Sequence, residues 1–242
     1  MPRLIFRLCV VALLCCGLSQ PLGAAAAPPH WQAVLVAGDN AEPVFDNAVD
    51  MMAGWLVHWG VPAAEIHRLS ASQTPQEGAE PASSTRILQR IAALRPQPGQ
   101  GCFVFVTSHG KHDQGVWLAA SSDFLTPPAL AQALATGCGS APTVVIISAC
   151  YSGVFVGGPM RAPNRVILTA ARADRPSFGC QADRTYTVFD ECLLATLPHA
   201  TTWKALYKTS VGCVRQREQS LNVYPSEPRK FFGSAVATLA IH

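Results

Sequence analysis

The chain has 242 residues, 49% of them hydrophobic and only 14% charged, with a formal net charge of +3 and a slightly positive mean hydropathy. That length and apolar content suit one α/β domain with a sizeable core. The charges form no basic block interleaved with aromatics, which excludes nucleic acid as a partner, and no Gly-rich phosphate loop or CxxC pair calls for a nucleotide or metal cofactor.

In chain order, Arg3 and Arg7 form a basic lead into the apolar run 8–18, followed by the small residues 24–27. Residues 1–27 therefore read as an export signal, cleaved to leave a domain over 28–242; the run is short for a membrane span, and an uncleaved anchor is the alternative. Setting aside Arg3 and Arg7 leaves 16 of the 18 basic residues against 15 acidic ones, so the exported part is near neutral.

Residues 33–37 (AVLVA) make a continuous apolar run, the mark of a strand covered on both faces. A helix is predicted over 44–59, where Phe45, Ala48, Val49, Met52, Leu56 and Trp59 recur at helical spacing until Gly60 and Pro62 stop it. A weak strand follows at 65–69, a polar surface loop at 70–83 and a helix at 84–94. Strong strands are predicted at 103–107 (FVFVT), 143–148 (TVVIIS) and 165–169 (RVILT), with a small hairpin arm near 116–119. Helices are predicted at 127–135, 186–197 and 202–217, and a last short strand near 231–236. Strands alternating with helices give a mostly parallel sheet with right-handed crossovers.

Chemistry gathers beyond the carboxyl ends of strands in such sheets. Thr107-Ser108-His109-Gly110 follows one strong strand directly, and Ser148-Ala149-Cys150-Tyr151-Ser152-Gly153 follows the next. If those strands adjoin, His109 and Cys150 stand at one edge at similar height. The imidazole then favours the thiolate and protonates the leaving amine. Gly110 lets a backbone N–H approach the substrate, and the N–H of Cys150 supplies a second oxyanion donor. Against this stands the ordinary role of a cysteine after a strand, which is packing. A metal site at His109, His112 and Asp113 is disfavoured by the glycine and the lack of partner ligands.

These residues carry a resemblance. V-A-G-D-N at 36–40, V-F-V-T-S-H-G at 104–110, I-S-A-C-Y-S-G at 147–153 and T-A-A-R-A-D-R-P-S-F-G-C at 169–180 resemble the legumain-type cysteine peptidases of the caspase-like clan. T-V-F-D-E at 187–191 and P-S-E-P-R-K-F-F-G at 225–233 also fit. The resemblance implies a caspase-like three-layer α/β/α sandwich with a mostly parallel six-stranded sheet. It makes His109 the general acid/base, Cys150 the nucleophile and Gly110 part of the oxyanion hole. It also implies a peptide or protein substrate and no cofactor. The family's substrate pocket maps onto Asp46, Ser148, Ser177 and either Asp190 or Glu191. Where relatives carry an arginine this chain has Asp46, so an acidic pocket selecting a basic or amide side chain is expected; alternatively Asp46 serves the helix beside it. Ser108 either orients His109 or only ends its strand.

Six cysteines follow the signal: Cys102, Cys138, Cys150, Cys180, Cys192 and Cys213. A working Cys150 stays free, which leaves at least one more unpaired thiol. Cys102 and Cys138 can pair at the amino-terminal edge if their strands adjoin; Cys192 and Cys213 fall on helices and read as core. The expected function is an exported cysteine endopeptidase. A transamidase or ligase using the same acyl-enzyme, a non-catalytic binding protein and a metal-binding or structural domain are the rivals.

Overall fold

The computed structural model describes residues 30–74 and 77–241. The expected signal at 1–27 lies outside the described residues.

Strand β1 (His30–Ala37) starts the central sheet and leads into α1 (Val44–His58), which ends where Gly60 takes a positive φ of 86°. β2 (Ile66–Ser70) and β3 (Glu80–Pro81) follow, then α2 (Ser84–Ala93), whose first turn is capped by the Ser83 hydroxyl accepting from Arg86 N–H. β4 (Gln100–Thr107) leads into a small antiparallel ribbon of β5 (Gly110–Lys111), β6 (Gly115–Leu118) and β7 (Asp123–Leu125). α3 (Pro127–Cys138) has Pro127 at its start, where the missing N–H costs nothing, and Thr126 as its cap. β8 (Thr143–Ser148), β9 (Arg165–Thr169), α4 (Val188–Thr196), α5 (Trp203–Ser220) and β10 (Arg229–Phe232) complete the order. Thr187 and Thr202 cap α4 and α5.

The main sheet runs β10-β9-β8-β4-β1-β2-β3, parallel throughout except for β10. It has seven strands where six were expected. The additional one is β3, a two-residue edge strand inside the stretch read as a loop. Two residues carry no periodicity, and Pro81 is tolerated there because an edge strand need not donate on both sides.

The continuous apolar strands are covered on both faces. Leu35, Phe103, Phe105, Ile146 and Leu168 pack against α1, α4 and α5, including Phe45, Leu193 and Trp203. The alternate residues Val34, Val104, Val106, Val145 and Ile147 pack against α2 and α3 through Ile87, Ile91, Leu130 and Leu134. Alternation along each strand feeds both layers, which is why these runs read as unbroken apolar sequence.

Cys102 and Cys138 are bonded, with Cα atoms 5.9 Å apart, so β4 is tied to the end of α3. Cys192 and Cys213, read as core residues on helices, are bonded as well, with Cα atoms 5.6 Å apart. They come together because α4 and α5 pack on each other, a tertiary relation that helical spacing does not carry.

Candidate active site

β4 and β8 are neighbours in parallel register, with Thr107 opposite Ser148. His109 and Cys150 each stand two residues beyond that pair, so the ladder brings both past the same carboxyl edge. Ser108 N–H donates to the Ser148 carbonyl at 3.1 Å, extending the pairing one residue further. The Ser108 hydroxyl donates to the Trp117 carbonyl at 2.7 Å, and Trp117 N–H donates to the His109 carbonyl at 2.9 Å. Ser108 therefore fastens the β5–β7 ribbon to the sheet, and its side chain is spent on that contact.

The two motif boxes have direct steric reasons. A methyl group on Gly110 would lie 2.0 Å from the Cys150 carbonyl oxygen, so only glycine permits this approach of the two backbones. Tyr151 adopts a left-handed conformation (φ 59°), which costs a non-glycine residue about 1–2 kcal/mol. Its N–H is held by the Arg175 carbonyl at 2.8 Å, and its ring meets His112 edge-on at 5.3 Å. The Ser152 hydroxyl accepts from Ala171 N–H at 3.2 Å, and Gly153 lies where a side chain would strike the backbone of Arg172 and Ala173. The turn after Cys150 is thus clamped to the segment that follows β9.

That segment reaches the thiol. Ser177 N–H donates to Cys150 Sγ at 3.2 Å, while the thiol lies 3.4 Å from the Ser177 carbonyl. Burial pushes the Cys150 thiol upward and neighbouring Cys180 adds to this; the backbone N–H groups of Ser177, Cys150 and Gly110 act in the opposite sense by favouring the thiolate. His109 and Cys180 line the same cleft. The neighbouring Cys180 raises the imidazole, burial opposes it, and the carboxylates of Asp39 and Glu42 raise it further. Cys180 is correspondingly lowered, chiefly by His109. Phe45 packs edge-on against the His109 ring at 5.3 Å.

His109, Cys150, Ser148, Ser177, Cys180 and Thr187 line one cleft whose free volume is about 10 Å³, room for about one water. A groove of about 610 Å³ between α5 and residues 225–230 is far larger but contains none of these groups. Convergent titratable groups, not volume, mark the chemistry. Among the described residues no cluster of ligands suited to a metal ion occurs.

Residues 83–212 match the model of the Peptidase C13 family, a span that holds His109, Gly110, Cys150 and the whole 172–187 segment. The chain belongs to the Peptidase C13 family. Its fold is similar to that of Caspase-1 from Spodoptera frugiperda, with a TM-score of 0.58 over 85% of this chain and 87% of that one, at 16% identity. A search of the curated proteins finds no match. Family and fold together make this a cysteine-peptidase-like chain of caspase-like architecture, and peptides or proteins are the substrates of a peptidase family. No described helix is long and apolar enough to cross a membrane.

Within this C13 chain, the expected pocket residues fall in two groups. Ser148 and Ser177 line the cleft, and Asp190 lies directly behind it, fully buried. Thr107 donates to Asp190 Oδ2 at 2.7 Å; Oδ1 has no donor at normal geometry, although the Ser148 and Thr187 hydroxyls lie near enough to favour the carboxylate. Burial dominates and pushes the Asp190 carboxyl up to about 6. Glu191 turns the other way, into ion pairs with Arg184 and Arg217 (2.6 Å for the latter), so Asp190 is the acid behind the cleft. Asp46 is not at the cleft. It lies in the first turn of α1, near Ser70 and Asp50, and its carboxyl is raised mainly by burial. Phe45 takes the place beside His109, because one step along the helix turns a side chain by about 100°.

The contact between His109 and Cys180 was not foreseen. Its one trace in the sequence is the cysteine count, which required a second free thiol.

Proposed function

We propose that the chain is an exported cysteine endopeptidase that hydrolyses peptide bonds through an acyl-thioester on Cys150, with His109 as general acid/base. The observation that carries this reading is the Ser177 N–H donating to Cys150 Sγ at 3.2 Å, beside a histidine brought to the same edge by the sheet register. The thiolate attacks the scissile carbonyl carbon, and the developing oxyanion is received by the N–H groups of Cys150 and Gly110. The His109 imidazolium gives its proton to the leaving amine, then takes one from the water that hydrolyses the thioester. For this, His109 has to turn from its neighbour Cys180 toward the substrate.

Asp190, set behind Ser148 and Thr187 with one oxygen lacking a donor, supports selection of an amide or basic side chain before the cut. A hydroxyl-lined pocket over a buried acid rejects apolar residues, since they would leave those groups unpaired. The Cys102–Cys138 and Cys192–Cys213 bonds support an oxidising compartment, in keeping with export.

The test uses residues 28–242 in reductant beside a Cys150→Ala copy, on fluorogenic peptides varied at the residue before the cut. Turnover by the wild type alone, strongest with Asn, Lys or Arg, is expected. Equal turnover by both proteins removes Cys150 from the chemistry, and a preference for Asp or Glu removes Asp190 from selection.

A further inference from the structure

Of the six cysteines among the described residues, four are used in the two disulfides. The two that remain free, Cys150 and Cys180, line the same cleft, and His109 lies there with them. A chain whose other described cysteines are paired thus keeps two thiols at its reactive centre.

We propose that Cys180 is a redox modification site and Cys150 its partner: a peroxide oxidises Cys180, and Cys150 then closes a reversible disulfide that shuts the cleft. In the first step the Cys180 sulfur attacks one peroxide oxygen. An S–O bond forms, the O–O bond breaks, and two electrons pass from sulfur to the peroxide, leaving a sulfenic acid and hydroxide. In the second step the Cys150 sulfur attacks the Cys180 sulfur. An S–S bond forms, the S–O bond breaks, and the departing hydroxide takes up the thiol proton to leave as water. A dithiol returns both cysteines by exchange.

Four observations carry this. Both thiols are half-buried, within reach of a small oxidant. Cys180 shares the cleft with His109, which lowers its thiol and makes it the better first target, while burial raises the Cys150 thiol. Residues 175–180 have no regular secondary structure, and Ser177 N–H already sits 3.2 Å from Cys150 Sγ, so Cys180 follows three residues after a point in contact with its partner. The cleft that both thiols line is about 10 Å³, which keeps a sulfenic acid close to the second thiol.

The bond itself does not depend on the proposed function; only the claim that it silences activity rests on that reading. The experiment treats full-length protein, freed of reductant, with hydrogen peroxide and maps its proteolytic peptides by mass. A linked Cys150–Cys180 peptide that dithiothreitol abolishes is expected, together with loss of turnover that dithiothreitol restores. In Cys180→Ser and Cys180→Ala, peroxide is expected to cause a loss that dithiothreitol does not restore, because Cys150 then passes to higher oxides. Thermal unfolding checks that both variants are folded. Absence of the linked peptide overturns the proposal whatever the activity does. A linked peptide in a chain with no turnover leaves the bond standing and overturns the endopeptidase reading instead.

Discussion

Gly110 and Cys150 meet backbone to backbone, closely enough that a single methyl group on Gly110 would lie 2.0 Å from the Cys150 carbonyl oxygen. The neighbouring atoms are main chain and cannot swing aside.

Gly110→Ala is therefore expected to push the two strand ends apart and tilt one oxyanion donor away from its target. Loss of such a donor lowers kcat by about 10²–10³-fold, and overpacking at a rigid contact costs about 1–3 kcal/mol of stability. Steady-state kinetics and urea unfolding of the same preparation measure the two effects. A variant as active as the wild type removes Gly110 from the oxyanion site.

Asp190 gives a pH dependence with a definite sign. Its carboxyl is ordinary in the unfolded chain and is pushed up to about 6 in the folded one. Between about pH 4 and 6 the folded protein holds more protons, so stability falls as pH rises through that window and levels off above it. The shift corresponds to about 3 kcal/mol. Asp190→Asn keeps an acceptor for the Thr107 hydroxyl without the buried charge. It is expected to be more stable than the wild type at pH 7.5 by about 1–3 kcal/mol, to match it near pH 4, and to lose preference for basic side chains. Urea unfolding at the two pH values decides. Parallel pH profiles for the two proteins would mean that folding does not shift the Asp190 carboxyl.

The Cys102–Cys138 bond joins residues 36 apart and ties α3 to the centre of the sheet. Replacing both cysteines by alanine is expected to lower stability by about 2–4 kcal/mol, read as an earlier denaturant midpoint. The cleft lies at the opposite end of β4, so KM should be unchanged where the variant is folded. A large rise in KM would show that the bond shapes the site as well as the core.

The central strands were legible because burial on both faces leaves an unbroken apolar run, as at 33–37, 103–107 and 143–148. The placement of His109 and Cys150 at one edge was legible because each follows such a run at once, and consecutive strands tend to adjoin. Residues whose roles depend on direction within an element were not. Asp46 has the right position in the chain, but the turn of α1 carries it to Ser70. Glu191 and Asp190 are adjacent in sequence and face opposite environments. The Cys192–Cys213 bond needs the packing of α4 on α5, and the His109–Cys180 contact needs an irregular segment to fold back over the sheet edge. β3 is too short to leave any periodic trace.

The ladder pairing of Thr107 with Ser148 divides labour in the molecule. His109 and Cys150 take their spacing from hydrogen bonds at the middle of the sheet, the part least able to drift. Ser177, Cys180 and Thr187 belong to a surface excursion between β9 and α4, joined to the sheet only at its ends and through a few clamps. Substitutions in that excursion can recast what is accepted while the spacing of the reacting atoms is inherited intact. New selectivities are then reachable by grafting one stretch of about sixteen residues from one relative to another, with no need to rebuild the scaffold beneath.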